Sequence, residues 1–208
     1  MGKVKQDIKD LVKEAGSKSK ALSAARDWYD RGSKSMRDNT IAKNKDPFKP
    51  GMIYVFRYDK PKNIKTLPWW DKNPVVLALD ATDAGNDCGI NLNLLPVDVK
   101  EDMLDLIYEK LKSMIKSQSS GVRANNANLQ GEIKLDYKNA KKFLDKYGLG
   151  FAIRQYIPEL KVNQKVVSYE NWGKIALVDF LELEGLTVNE LKKQYSDYLK
   201  NYLKNKDI

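Results

Sequence analysis

From Pro74 the chain reads PVVLALDA, and nothing between Val75 and Leu79 offers a polar face. A strand that is wet on one side alternates apolar and polar residues. A run that is apolar on both sides has to be covered on both. A chain carrying this run must therefore build a central strand with other structure on either face. Upstream, GMIYVFRYDKP lies between Gly51 and Pro61 and is rich in aromatic and β-branched residues, the composition of a strand. Its alternation sets Ile53 and Val55 on one face and Tyr54, Phe56 and Tyr58 on the other. Downstream, DATDAGND is dense in turn residues. CGINLNLLP then alternates Ile90, Leu92 and Leu94 against Asn91 and Asn93, which predicts a strand with one wet face. Three short strands joined in this way predict a small, strongly bent antiparallel sheet, of which an SH3-like barrel is one form.

Helical patterns flank this block. Val4, Ile8, Leu11, Val12 and Ala15 form one stripe, with lysines on the other faces. GSKSK interrupts it, and Leu22, Ala25, Trp28, Tyr29 and Gly32 then recur three or four apart. SMRDNTIAKNKDPFKP has no period and ends in Pro47 and Pro50, as an extended connector does. After the strands, Asp98 and Glu101 have the spacing of a capping box, followed by Met103, Leu104, Ile107, Tyr108, Leu111, Met114 and Ile115 on one helical face. Residues 136 to 147 make a shorter helix (Ala140, Phe143, Leu144, Tyr147) stopped by Gly148. FAIRQYIPELKVNQKVVSYENWGKIALVDF reads as strand-like pieces broken by Pro158 and Gly173. Thr187 and Glu190 cap a final helix bearing Leu191, Tyr195, Tyr198, Leu199 and Tyr202. The expected class is α+β, with a small antiparallel β core, an N-terminal helical arm and C-terminal helices. The expected division is residues 1–46 as basic arm and connector and 47–208 as core domain.

The chain has no histidine and a single cysteine, Cys88. That removes Ser-His-Asp and Cys-His nucleophile systems, HExxH metal sites and any internal disulfide. No phosphate-binding loop of the GxxxxGK[ST] type occurs, and the Gly148–Gly150 pair follows a helix rather than a strand. Asp80, Asn86, Asp83 and Asp87 do not follow the ligand order of a calcium loop. An acid–base pair would have to come from Arg57, Asp59 and Asp71. The expectation is a protein with no catalytic residues, no cofactor and no metal. No run approaches the length of a membrane span, and MGKVKQDIKDLVKEAG lacks the apolar centre of a signal peptide. A soluble protein that is not exported, with no membrane partner, is expected.

Formal net charge is +9, and residues 1 to 50 hold thirteen basic against seven acidic side chains, a surplus of six. Such a balance attracts acidic partners, nucleic acid among them, although solvated helices also carry many lysines. Lys9, Lys13, Arg31 and Lys34 are the candidate DNA contacts. A short amphipathic helix is marginal alone, so Val4, Ile8, Leu11, Val12 and Trp28 are candidate docking residues for a partner subunit. The arm is expected to be mobile until it packs on that partner. In LPWWD, Trp69 and Trp70 are adjacent and point to opposite sides of an extended segment. One is free to enter the core while the other serves as a docking anchor or as a stacking platform. Asp71 is expected to fix the turn by accepting backbone N–H groups.

PGMIYVFRYDKPKNIKTLPWWDKNPVVLALD, GINLNLLP and LDLIYEKL, in that order, resemble a pattern of tailed-phage virion proteins. There a tyrosine-rich strand ending in Pro-Lys precedes L-P-[YW]-[YW]-D-x-x-P, an apolar strand, G-[IL]-N-x-x-[YL]-L-P and a helix. The later YIPELKVNQKVVSYENWGKIALVDF is similar to the same proteins, so that the resemblance spans roughly residues 50 to 180. The family is that of DNA end protectors or head-completion proteins of T-even-like phages. The resemblance implies a non-enzymatic structural component of the particle, docked at the head–tail junction or tail through the arm. The alternative it implies is a protein that caps DNA termini. The implied partners are other virion proteins (portal, neck or tail subunits), in multiple copies, and DNA. The implied location is the virion, with assembly in the host cytoplasm.

Overall fold

The structure, a computed structural model, describes residues 2–37, 46–58, 71–80, 85–118, 137–146 and 149–180. Trp69, Trp70, Asp59, Gly148 and the expected C-terminal helix lie outside the described residues. The chain forms two compact units: Met1–Asp38, Pro96–Lys134 and Val167–Asp179 make one, and Asn39–Leu95, Leu135–Val166 and Phe180–Ile208 the other.

The first unit is helical: α1 (Lys3–Ala15), α2 (Lys18–Arg37), α3 (Val97–Gln118) and the short α5 (Trp172–Leu177). Gly16 ends α1 in the left-handed conformation, φ 78°, which glycine adopts without steric cost. Ser17 then accepts the Lys20 N–H at 3.3 Å at the start of α2. Val4 and Ile8 are buried, and α1 packs on α2, α3 and α5 of the same unit. Val4 and Ile8 of the expected docking stripe are thus covered within the unit, through neighbours that periodicity cannot reveal, whereas Leu11 and Val12 stay half-buried. Gly2 gives α1 no side-chain cap of its own. The cap comes from α3, where the buried Asp105 accepts the Val4 N–H at 2.9 Å, a carboxylate at the positive end of a helix. Any Cβ at Gly2 would stand about 2 Å from that carboxylate, its nearest oxygen at 1.9 Å.

α5 is the element that the sequence reading missed. Trp172-Gly173 is an unusual helix opening, and six residues are too few to display a period. Gly173 lies against α1, where an added Cβ would sit 3.0 Å from that of Asp7. Trp172, fully buried, meets Tyr108 at 6.4 Å and Tyr169 at 5.0 Å between ring centres. Lys100 is also fully buried and donates from its ammonium to the Val178 carbonyl, tying α3 to the residue that follows α5. α3 starts at Val97, two residues earlier than the capping-box reading with Asp98 as N-cap placed it. Asp98 lies within the first turn and accepts the Val99 N–H at 3.2 Å.

The second unit holds a five-stranded sheet in the order β4-β3-β2-β1-β5, with β1 (Ile53–Tyr58), β2 (Val75–Ala78), β3 (Asp87–Asn91), β4 (Ile153–Tyr156) and β5 (Lys161–Val167), and α4 (Tyr137–Lys146) beside it in the chain. β1 to β4 form an antiparallel meander with Ile53 opposite Leu77, Leu77 opposite Ile90 and Ile90 opposite Ile153. β2 is the central, fully buried strand expected from its sequence. β4 and β5 stand at opposite ends of the order yet are joined by residues 157–160 alone. A flat sheet would separate them by about 19 Å, whereas that link reaches about 17 Å when extended. Pro158–Leu160 is coiled into a 3-10 turn and reaches less. The sheet therefore bends strongly. One buried cluster gathers Phe48, Tyr54, Phe56, Tyr58, Val76, Ala78 and Tyr156, with Phe48 stacked on Tyr54 at 4.7 Å.

Two polar networks lie within this unit. Asn91 and Asn93, expected on a wet face, are buried, and both donate side-chain N–H to Asp71 Oδ2, at 2.8 and 3.0 Å. Asp71 fixes the entry to β2 as expected, but with side-chain amides as its partners. Asp87 forms a buried ion pair with Lys161 and accepts the Phe48 N–H at 2.8 Å. The Lys161 ammonium also reaches the Asp46 carbonyl at 2.8 Å and lies 4.4 Å from the Phe48 ring centre. Asp87 is thereby a structural anchor for the segment that leads into β1.

Candidate nucleic-acid interface

The charged surface of the helical unit is uneven in how its cations are used. Lys3 pairs with Asp7, and Lys5 with Asp102 at 2.8 Å. Both ammonium groups have their pKa raised above the usual lysine value, chiefly by the hydrogen bond to that carboxylate. Lys9, Lys13, Lys18, Lys20 and Arg31 are exposed. Among the described residues none of these five forms a salt bridge. Lys9 and Lys13 are one turn apart, on the side of α1 away from Val4 and Ile8. Lys13 then falls in the last turn of α1, where a cation complements the helix dipole. A phosphate that approaches this face meets exposed cations that no salt bridge occupies among the described residues.

Between α1, α2 and α5 lies a groove of about 410 Å³, lined by Leu11, Glu14, Ala15, Ala21, Ala24, Ala25, Trp28, Arg31 and Lys174. Its shape follows from the sequence. Ala21, Ala24, Ala25 and Trp28 recur at helical spacing, so three small residues and one large ring share a face of α2. The Lys174 ammonium stands 5.4 Å from the centre of the Trp28 ring, within cation–π range, and donates to Asn171 Oδ1 at 3.3 Å. Leu11 and Trp28 are half-buried at the groove and Arg31 is exposed at it. A ring, an apolar floor and two cations can hold a planar group that carries an anion.

The structure thus brings Leu11, Trp28 and Arg31 together and separates them from Val4 and Ile8, which are interior. Val12 is half-buried on α1 and does not line the groove. Lys34 lies on α2, its side chain outside the described residues. Glu14, Ala21, Ala24 and Lys174 were missed, and Ala15 and Ala25 were read only as members of helical stripes. Lys174 had no sequence signal, because the segment around it reads as strand-like and its partner Trp28 is far away in the chain. Among the described residues no three acidic, histidine or cysteine side chains cluster so as to hold a metal ion, and no helix is long and apolar enough to cross a membrane.

Comparison with curated proteins and with solved structures found no match. The family model described as phage T4 terminal DNA protecting protein matches residues 1–196, and so takes in the N-terminal helices that the resemblance noted in the sequence left out. The chain belongs to the phage T4 terminal DNA protecting protein family.

Proposed function

We propose that this protein binds the ends of linear phage DNA and shields them, without catalysing a reaction. The observation that carries this reading is that a chain of a terminal DNA protecting family leaves Lys9, Lys13 and Arg31 exposed, with no salt bridge among the described residues, on one helical unit. Cations of this kind gain affinity by releasing counterions condensed on the duplex. Val4 and Ile8 pack within the chain's own helices while Leu11, Val12 and Trp28 stay half-exposed, and it is the family that gives the DNA reading precedence over docking in the particle. A protector that stays on packaged ends would be carried in the virion, beside portal, neck or tail subunits, after assembly in the host cytoplasm.

The test is binding of the full chain to a blunt linear duplex across a salt series. Affinity should fall steeply with salt. Reversing Lys9, Lys13 and Arg31 to glutamate should weaken binding at every salt concentration and lower the logarithmic slope by about 0.9 for each phosphate that is no longer neutralised. No binding at low salt, or equal binding by the reversed protein, would refute the reading.

A further inference from the structure

The exposed lysines account for attraction to phosphate anywhere along DNA, but they do not distinguish an end from the middle. The groove between α1, α2 and α5 can. It combines the Trp28 ring, an alanine floor, Arg31 and Lys174 in about 410 Å³, a size typical of sites for small molecules. A paired duplex is too wide to enter it, whereas one unpaired nucleotide is not. We infer that the groove takes the terminal nucleotide of a DNA end, its base against Trp28 and its phosphate held by Arg31 and Lys174. This deepens the DNA-terminus reading and rests on it.

Two observations on the groove and two properties of a DNA end support the assignment. The lining holds two cations against one carboxylate, Glu14, so it favours a monoanion paired with a ring over a neutral apolar ligand. Aromatic side chains stack on any base, which suits an end whose sequence is not fixed. Drawing a nucleotide out of its stack is cheapest where it is already unpaired or frayed, and a terminus is where a duplex frays. The cation–π contact between Lys174 and Trp28 holds the ammonium beside the ring before any ligand arrives, so that the ring and a phosphate ligand are already adjacent.

The experiment uses the full chain and three DNAs of the same sequence: a 5′-phosphorylated linear duplex with 2-aminopurine at its terminal position, the same duplex with the probe at its centre, and a dumbbell closed by loops at both ends. The unsubstituted protein should bind the linear duplex more tightly than the dumbbell and change the fluorescence of the terminal probe but not of the central one. Trp28→Ala should lose about tenfold to a hundredfold in affinity for the linear duplex, abolish the terminal signal and leave dumbbell binding unchanged. Trp28→Phe should restore most of the loss. Arg31→Gln and Lys174→Gln, at two positions outside the buried core, should lower the preference for the linear duplex over the dumbbell even if Trp28→Ala fails to fold, Arg31→Gln weakening dumbbell binding as well. Retained end preference in Trp28→Ala or in the Arg31→Gln, Lys174→Gln pair would overturn the groove assignment and leave the DNA-terminus reading standing. Equal affinity for linear and closed DNA by the unsubstituted protein, or none for either, would overturn both.

Discussion

The ammonium of Lys174 lies 5.4 Å from the centre of the Trp28 ring, and this contact joins α5 to the middle of α2. The attraction comes from the negative face of the indole, and it needs no carboxylate partner. The contact leaves Lys174 beside a groove rather than locked in a salt bridge. Trp28→Ala and Lys174→Ala, combined in a double-mutant cycle on the protein without DNA, should show a coupling of about 0.5–1 kcal/mol by chemical denaturation. Strict additivity would mean that the pairing contributes nothing to holding the groove.

The N-terminus of α1 is capped from α3 by Asp105. Asp105→Ala leaves the buried Val4 N–H without a partner and removes a carboxylate from a helix N-terminus. The expected loss is about 1.5–3 kcal/mol, the range for a hydrogen bond to a charged group. Gly2→Ala should destabilise as well, because its methyl group would collide with the same carboxylate. Unfolding of both variants in denaturant measures these effects. Amide exchange in α1 should accelerate more than in β1 to β4.

In the sheet, Gly89 faces Ala78 on one side and Arg154 on the other. A Cβ there would lie 2.8 Å from the Leu77 carbonyl oxygen and 2.2 Å from Val76 Cγ1. The Val76 methyl can rotate away but the backbone oxygen cannot, so Gly89→Ala should cost about 1–3 kcal/mol of stability. An unchanged midpoint of unfolding would show that β2 and β3 do not approach so closely.

Lys100 makes stability depend on pH in a predictable direction. Burial lowers its pKa to about 7, with Asp179 partly opposing the shift, from the ordinary lysine value of 10.5 that the unfolded chain retains. Between these values the unfolded chain binds more protons than the folded one, so raising the pH stabilises the fold. The gain approaches about 1.4 kcal/mol per pH unit within that window and vanishes below it. Lys100→Met removes this dependence. The difference in unfolding free energy between the variant and the unsubstituted protein should change steadily from about pH 7 to about pH 10 and stay constant from about pH 5 to about pH 6. A difference independent of pH throughout would show that Lys100 does not lose its proton in the folded state.

Much of the sheet was legible because its signals are local. The alternation of Tyr54, Phe56 and Tyr58 and the two-faced apolar run from Val75 each declare a side or a depth without reference to distant residues. The helical stripes of α1 and α4 did the same. What escaped were pairings across the chain. Asn91 and Asn93 read as solvent-facing because they are polar, yet Asp71 gives their amides a buried partner. Asp87 read as part of an acidic loop, and its role became visible only with Lys161, which lies far along the chain. The candidate site divides the same way. The basic character of α1 and α2 and the ring of Trp28 were apparent, but Lys174 joins them only because α5 folds back onto α2.

The central claim is that the protein shields DNA termini, and protection from a processive exonuclease tests it most directly. A blunt linear duplex saturated with the protein at low salt should be degraded at least about tenfold more slowly than the naked duplex, the factor corresponding to about 1.4 kcal/mol of occupancy at the end. Cleavage of a closed circle by an endonuclease under the same conditions should be unaffected. Degradation of the linear duplex at its naked rate, or equal inhibition of both nucleases, would contradict the account.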